Sequence, residues 1–145
     1  MDKLIIFVPL IVSNIVQFVT LKPNSYAKNL SLQPPSYVFG IVWTIIYLLF
    51  GAYLYNIIHT KEPFKYWIIC LWILNLILNM TWSPLVFNYK RYKIGVYIIV
   101  LMIATLIGLM VNTTNIISKN LLIPYVTWLI IALFLNVELV SQPNK

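Results

Sequence analysis

The chain offers little to the usual chemistry of proteins: one cysteine, one histidine and three carboxylates in 145 residues. A lone Cys70 cannot close an intramolecular disulfide. It lies inside an apolar run with no cationic or histidine neighbour, so a buried, inert thiol is expected rather than a nucleophile. His59, beside Lys61 and Glu62 at the end of an apolar run, reads as a solvated loop residue. No set of His, Cys, Asp and Glu has metal-ligand spacing, so no metal site is expected. No serine has an acid–base partner within an apolar run, and no glycine-rich phosphate loop is present. Asp2, Glu62 and Glu138 all avoid the middle of apolar runs, which disfavours an ion-coupled pump. No conventional catalytic residue is therefore assigned.

Charge of either sign is scarce. Only 9% of residues are charged, against about a quarter in a soluble domain. With 61% hydrophobic residues and a mean hydropathy of +0.89, there is too little charge to cover a water-facing surface. The shortage resolves if most of the surface faces lipid, so an integral membrane protein is expected. The net charge of +7 comes from ten Lys and Arg. They fall between apolar runs, at Lys22 and Lys28, Lys61 and Lys65, then Lys90, Arg91 and Lys93. Loops at a membrane surface have this layout. A nucleic-acid binder would gather its charge into a stripe or patch, so no nucleic-acid partner is expected.

Hydropathy gives five candidate spans in one all-α transmembrane domain covering residues 1–145: 4–21, 37–58, 64–87, 94–111 and 121–140. Each approaches the roughly 20 residues needed to cross the hydrocarbon. Period-two alternation is missing, which excludes barrel strands. Pro63 suits a helix start. Pro124 stands where it is either tolerated in a first turn or bends the helix, and Pro84 is expected to kink or end the third span. The first span resembles the front of a secretory signal, but without a small-x-small cleavage site a retained helix is favoured. Five spans place Lys22, Lys28, Lys90, Arg91, Lys93 and Lys145 on one side, opposite Lys3, Lys61, Lys65 and Lys119. The positive-inside rule then puts the C-terminus in the cytosol and the N-terminus outside.

What the chain has in quantity is aromatic side chains, set beside amides. Phe39, Trp43 and Tyr47 stand at i, i+4 and i+8, one face of a helix. Gly40 and Gly51 on the same span would let another helix approach closely. In the third span Asn75 and Asn79 stand at i, i+4, with Trp72 three before and Trp82 three after. Carboxamides are costly in hydrocarbon unless satisfied, so they are expected to face the bundle interior. In the fifth span Trp128, Ala132 and Asn136 share a face, with Tyr125 one turn earlier. Interhelical packing accounts for each pattern singly. Together they have the form of an apolar, aromatic-lined pocket with a few convergent polar groups.

These residues carry a resemblance. "PPSYVFGIVWTIIY" (34–47), "LNMTWSPLVF" (78–87) and "LLIPYVTWLIIALFLN" (121–136) resemble the translocator protein family, TspO/MBR, in order and across essentially the whole chain. The resemblance implies a five-helix membrane bundle, in many members a homodimer, that binds tetrapyrroles such as protoporphyrin and haem in an intrabundle cavity. It matches Trp43 to the tryptophan of VFGPVW, Asn79 and Trp82 to LNxxW, Trp128 to PYxxW, and Tyr26 to a loop tyrosine over the cavity. Three departures stand out: Ile41 replaces a proline, Ser25 a tryptophan, and the segment from Tyr26 to Pro34 is short. After Asn136, "VELVSQPNK" lacks the tyrosine of a proposed sterol motif, so sterol binding by that route is not supported.

The expected ligand set is Tyr26, Phe39, Trp43, Tyr47, Asn75, Asn79, Trp82, Trp128 and Ala132, with no cofactor beyond the tetrapyrrole as ligand. The expected role is transport, sequestration or sensing of a flat hydrophobic molecule, with the lipid bilayer as the other partner. One alternative is light-dependent porphyrin degradation, for which Trp43 and Trp128 would be the redox residues. Cholesterol or lipid translocation, and a purely structural bundle, are the others.

Overall fold

The structure, a computed structural model, describes residues 2–19 and 36–141. Tyr26, Pro34 and Pro35 lie outside the described residues. A 3-10 stretch, Asp2–Phe7, runs into α1, Val8–Val19. Then come α2 (Ser36–His59), α3 (Lys65–Phe87), α4 (Tyr92–Asn112), a short α5 (Ile116–Leu121) and α6 (Ile123–Ser141). No strand occurs among the described residues.

Among the described residues, four helical stretches are long and apolar enough to cross a membrane: 37–59, 65–86, 92–112 and 116–141. The last joins α5 to α6, so it begins five residues before the expected start at Leu121. Pro124 explains the break. It has no N–H to give the Asn120 carbonyl, and the chain steps through Leu122, whose N–H turns back to Lys119 O at 3.1 Å. Proline also shapes the first span, which is not a single α-helix as expected. Pro9 cannot donate to the carbonyl four residues back, and the residues before it wind as the tighter 3-10 form. Pro84 lies inside α3, which continues through it for three residues and ends at Phe87.

The outer surface, more than the core, departs from that of a soluble protein. Large apolar residues such as Ile41, Ile45, Ile77, Leu101, Val111 and Phe134 point outward, whereas Asn75, Asn79, Thr105 and Asn136 are buried. Inward positions recur at helical spacing: Ile46, Phe50, Tyr53 and Ile57 on α2; Ile68, Trp72, Asn75 and Asn79 on α3. On α4 they are Met102, Thr105, Leu106 and Leu109, and on α6 Tyr125, Trp128, Leu129 and Ala132. Cys70 falls between the inward positions of α3 and is exposed on the outer face, not buried as its apolar surroundings suggest.

Close approach is set by two of the four glycines. At Gly51 the backbone of Ile6 lies where a Cβ would stand, so the 3-10 stretch packs directly onto α2. At Gly95 an added Cβ would meet Val86 and Asn136. Gly40 has open space around it, contrary to the expectation of a helix contact there. The α3–α4 connection is tight and passes through Lys90 at φ 52°, a left-handed conformation that usually takes Gly or Asn. At the opposite end Glu62, in the α2–α3 connection, accepts from the Thr114 N–H (2.9 Å), the Thr114 hydroxyl (2.9 Å) and the Asn115 N–H (3.0 Å). Burial pushes the Glu62 carboxyl up, but those hydrogen bonds and nearby Lys119 outweigh it and hold it below the usual carboxylate range. A carboxylate thus ties two connections together and orders the start of α5, where the Asn115 side chain accepts from the Ser118 N–H.

Candidate functional site: an aromatic and amide cluster between α2, α3 and α6

The amides of α3 are the centre of a hydrogen-bonded chain through the bundle. Asn75 Nδ2 donates to the Met102 carbonyl (3.0 Å) and to Thr105 Oγ1 (2.8 Å), and its Oδ1 accepts from the Tyr125 hydroxyl (2.8 Å). Tyr125 in turn accepts from Asn79 Nδ2 (2.6 Å), and Asn79 Oδ1 accepts from the Tyr47 hydroxyl (2.9 Å). Four helices are joined in this way. The sequence pattern did not list Tyr125 or Thr105 among the site residues. The PYxxW stretch held the signal for Tyr125, because a tyrosine one turn before an inward Trp shares its face. Nothing marked Thr105 in advance.

Nearer the end where α3 stops, a second set of bonds repeats the device. Trp82 Nε1 donates to Asn136 Oδ1 (3.0 Å), and Asn136 Nδ2 donates to the Tyr92 carbonyl (2.7 Å). Gly95 makes this possible: Asn136 occupies the space beside it. α3, α4 and α6 are thus pinned by polar bonds in a region that lipid would not satisfy.

The aromatic rings fill the space between the two sets. Trp43 stacks on Tyr47 at 5.4 Å and meets Trp128 edge-on at 6.4 Å and Tyr125 edge-on at 6.2 Å. Phe39 meets Trp128 edge-on at 5.4 Å. These are the favoured offset and T-shaped geometries. A small void remains, about 10 Å³, bordered by Trp43, Asn79, Trp82 and Ala132 with three apolar neighbours. That is about the least volume that holds one water.

The sequence-derived residues therefore divide. Trp43, Asn79, Trp82 and Ala132 border one void, and Phe39, Tyr47 and Trp128 pack around it. Asn75 lies a turn deeper, 0% exposed, with both amide hydrogens and the carbonyl oxygen engaged by protein partners. It belongs to the scaffold under the cluster, not to its lining. Tyr26 lies outside the described residues. Trp72, seen in sequence as flanking the amides, stacks on Phe50 at 4.8 Å and donates to the Phe50 carbonyl.

One donor is left over. Trp128 is 7% exposed, yet its Nε1 finds no acceptor among the described residues. Among the described residues only Ser118 Oγ shares that state, and it lies in α5. A buried N–H without an acceptor forfeits about 1–3 kcal/mol.

Comparison with known proteins agrees with the motifs. The sequence model of the TspO/MBR family matches residues 5–141. The chain is 30% identical to the tryptophan-rich protein TspO of Chlorobaculum tepidum over 112 residues, covering 73% of this chain and 70% of that protein. It is 33% identical to the tryptophan-rich protein TspO of Archaeoglobus fulgidus over 112 residues, 71% of this chain and 68% of that one. Protein CrtK of Rhodobacter capsulatus is 23% identical over 113 residues, 75% and 71% of the two chains.

Proposed function

The chain belongs to the TspO/MBR family, and from that premise and the geometry of the cluster we propose that it binds tetrapyrroles or similarly flat hydrophobic molecules. Binding takes place between α2 and α6, in the service of transport, sequestration or sensing. The chain is an integral multi-pass membrane protein, and we read it as five spans with the N-terminus outside. The 3-10 stretch and α1 support the fifth span by length. Six residues at about 2.0 Å and twelve at about 1.5 Å reach about 30 Å, the hydrocarbon thickness.

The observation that carries the ligand reading is the unaccepted Trp128 N–H. It sits among Phe39 and Trp43, rings whose faces and edges suit a flat aromatic guest. A porphyrin carries acceptors at its propionates, and one of these completes the missing bond. The void of about 10 Å³ does not admit such a guest as it stands. Binding requires the α2 face bearing Trp43 and Tyr47 to part from α3 and α6, breaking the Tyr47–Asn79 bond while the Thr105–Asn75–Tyr125 scaffold stays closed. The ring periphery and faces supply recognition. His59 and Cys70 do not line the cluster, so a haem iron would take no ligand from either.

The test is absorbance titration of the detergent-solubilised protein with protoporphyrin. Trp128→Phe keeps a ring in place but removes the donor, so affinity is expected to fall about tenfold, the worth of one hydrogen bond. The thermal midpoint of the ligand-free protein is expected to change little, since relief of the unsatisfied N–H offsets the packing lost with the smaller ring. Unchanged affinity in Trp128→Phe, and in Trp43→Ala with Trp128→Ala, would reduce the rings to packing.

A further inference from the structure

α2 is held unevenly along its length. From Phe50 to His59 it is pinned to α3, to the end of α4 and to the 3-10 stretch. Trp72 Nε1 donates to the Phe50 carbonyl at 3.0 Å, the Tyr53 hydroxyl pairs with Thr113 Oγ1 at 2.6 Å, and Lys65 Nζ donates to the Ile58 carbonyl at 3.0 Å. The Ile6 backbone closes on Gly51, and Phe50, Tyr53 and Ile57 are buried. From Tyr37 to Tyr47, one hydrogen bond joins α2 to another helix among the described residues, Tyr47 to Asn79. Thr44 spends its hydroxyl on the Gly40 carbonyl of its own helix at 2.7 Å. Gly40 has open space beside it, and Tyr37, Ile41 and Ile45 face outward.

The seam between this free half and α6 holds no hydrogen bond among the described residues. Ring edges close it: Phe39 on Trp128 at 5.4 Å, and Trp43 on Trp128 and Tyr125 at 6.4 and 6.2 Å. Such contacts part without leaving a polar group bare. α6 is fixed on its other side, through Tyr125 to Asn75 and through Asn136 to Trp82 and the Tyr92 carbonyl. The member free to move is therefore α2. A flat guest laid between Trp43 and Trp128 needs about 4 Å, the contact separation of carbon atoms. Trp43 stands eight residues from Gly51, a lever of about 12 Å. A tilt of about 20° at Gly51 supplies the gap, no more than a helix tolerates without a proline.

We infer that α2 is a side gate: its half before Phe50 swings away from α6 on the pinned half after it, and the guest enters from the bilayer through the α2–α6 seam. Tyr47 is the latch. The inference takes its guest from the tetrapyrrole reading, but the motion belongs to the chain itself and is measured without a guest.

Spin-label distances in lipid nanodiscs test it, with Cys70→Ala as the background because Cys70 is exposed. Ile41→Cys with Ile130→Cys reports the free half against α6, and Ile58→Cys with Ile123→Cys the pinned half; all four positions are outward. With no guest present, Tyr47→Phe should raise the open population of the first pair about tenfold, the worth of one hydrogen bond, and leave the second pair unchanged. Saturating protoporphyrin should lengthen the first distance by about 4 Å, one aromatic thickness, and again spare the second. A bis-maleimide that bridges the first pair at its closed length should nearly abolish uptake of protoporphyrin from vesicles, whereas bridging the second pair should not. An unshifted first pair in Tyr47→Phe, equal movement of both pairs, or unimpeded uptake by the bridged protein would overturn the gate. A parent protein that takes up no protoporphyrin would sink the tetrapyrrole reading instead, and the Tyr47→Phe distances alone would then decide the gate.

Discussion

Gly95→Ala tests the packing of α3, α4 and α6 with a single methyl group. The added Cβ would stand 2.6 Å from Val86 Cγ2 and 2.9 Å and 3.2 Å from the Asn136 amide atoms. Neither neighbour has room to yield: Val86 is 0% exposed, and Asn136 is held by Trp82 Nε1 and the Tyr92 carbonyl. Overpacking of this kind costs about 1–3 kcal/mol. Displacing Asn136 adds about 1 kcal/mol for a lost hydrogen bond. Against these stands a helix-propensity gain of about 1 kcal/mol for replacing Gly by Ala. The net expectation is a loss of about 1–3 kcal/mol, seen as a lower thermal midpoint of the purified protein and as tryptophan fluorescence altered at Trp82. Gly40→Ala is the internal control. Its Cβ meets nothing within 4 Å, so the propensity gain stands alone and the midpoint should hold or rise. A Gly95→Ala protein as stable as the parent, or a Gly40→Ala protein less stable than Gly95→Ala, would refute the close approach of α6 to α4.

Tyr125→Phe removes the hydroxyl between Asn75 and Asn79 and leaves a carbonyl oxygen and an amide hydrogen unsatisfied in a dry interior; about 2–4 kcal/mol should be lost, measured as a fall in thermal midpoint. Tyr53→Phe, which breaks only the 2.6 Å bond to Thr113, should cost less than Tyr125→Phe in the same assay. Glu62→Ala strips three bonds from the Thr114–Asn115 connection and should increase amide hydrogen exchange there, with about 2–3 kcal/mol of destabilisation. The pH dependence has a definite sign. The folded Glu62 carboxyl lies below its ordinary value of 4.5, so its contribution is whole above pH 4.5 and is lost as pH falls through the lowered folded value. The parent should therefore lose stability relative to Glu62→Ala only on the acid side of that point.

Several features of this protein follow from its sequence alone, and the reasons are local or compositional. Too little charge to cover a surface, and apolar runs of bilayer length, determine helices that face lipid. Asn75, Asn79 and Asn136 had to turn inward, because a carboxamide in hydrocarbon has no partner. Once those positions point in, the 3.6-residue period brings Trp82 and Trp128 with them. The ordered motifs also determined the family.

Tertiary structure decided the rest, because it depends on which faces meet. Asn75 and Asn79 look equivalent in sequence, one turn apart on one helix. Only the arrival of Thr105 from α4 and Tyr125 from α6 consumes Asn75 and leaves Asn79 beside the void. Gly40 and Gly95 are alike as letters, but only Gly95 has α6 crossing over it. Cys70 sits in an apolar run and still faces outward, since in a lipid-facing helix hydrophobicity no longer tells inside from outside. Glu62 is one of few carboxylates, and its partners are 52 and 53 residues away. No local pattern could have joined them. The Trp128 N–H lacks an acceptor for the same reason: whether a buried donor is satisfied is settled by the neighbours that packing delivers, and packing delivered two aromatic rings.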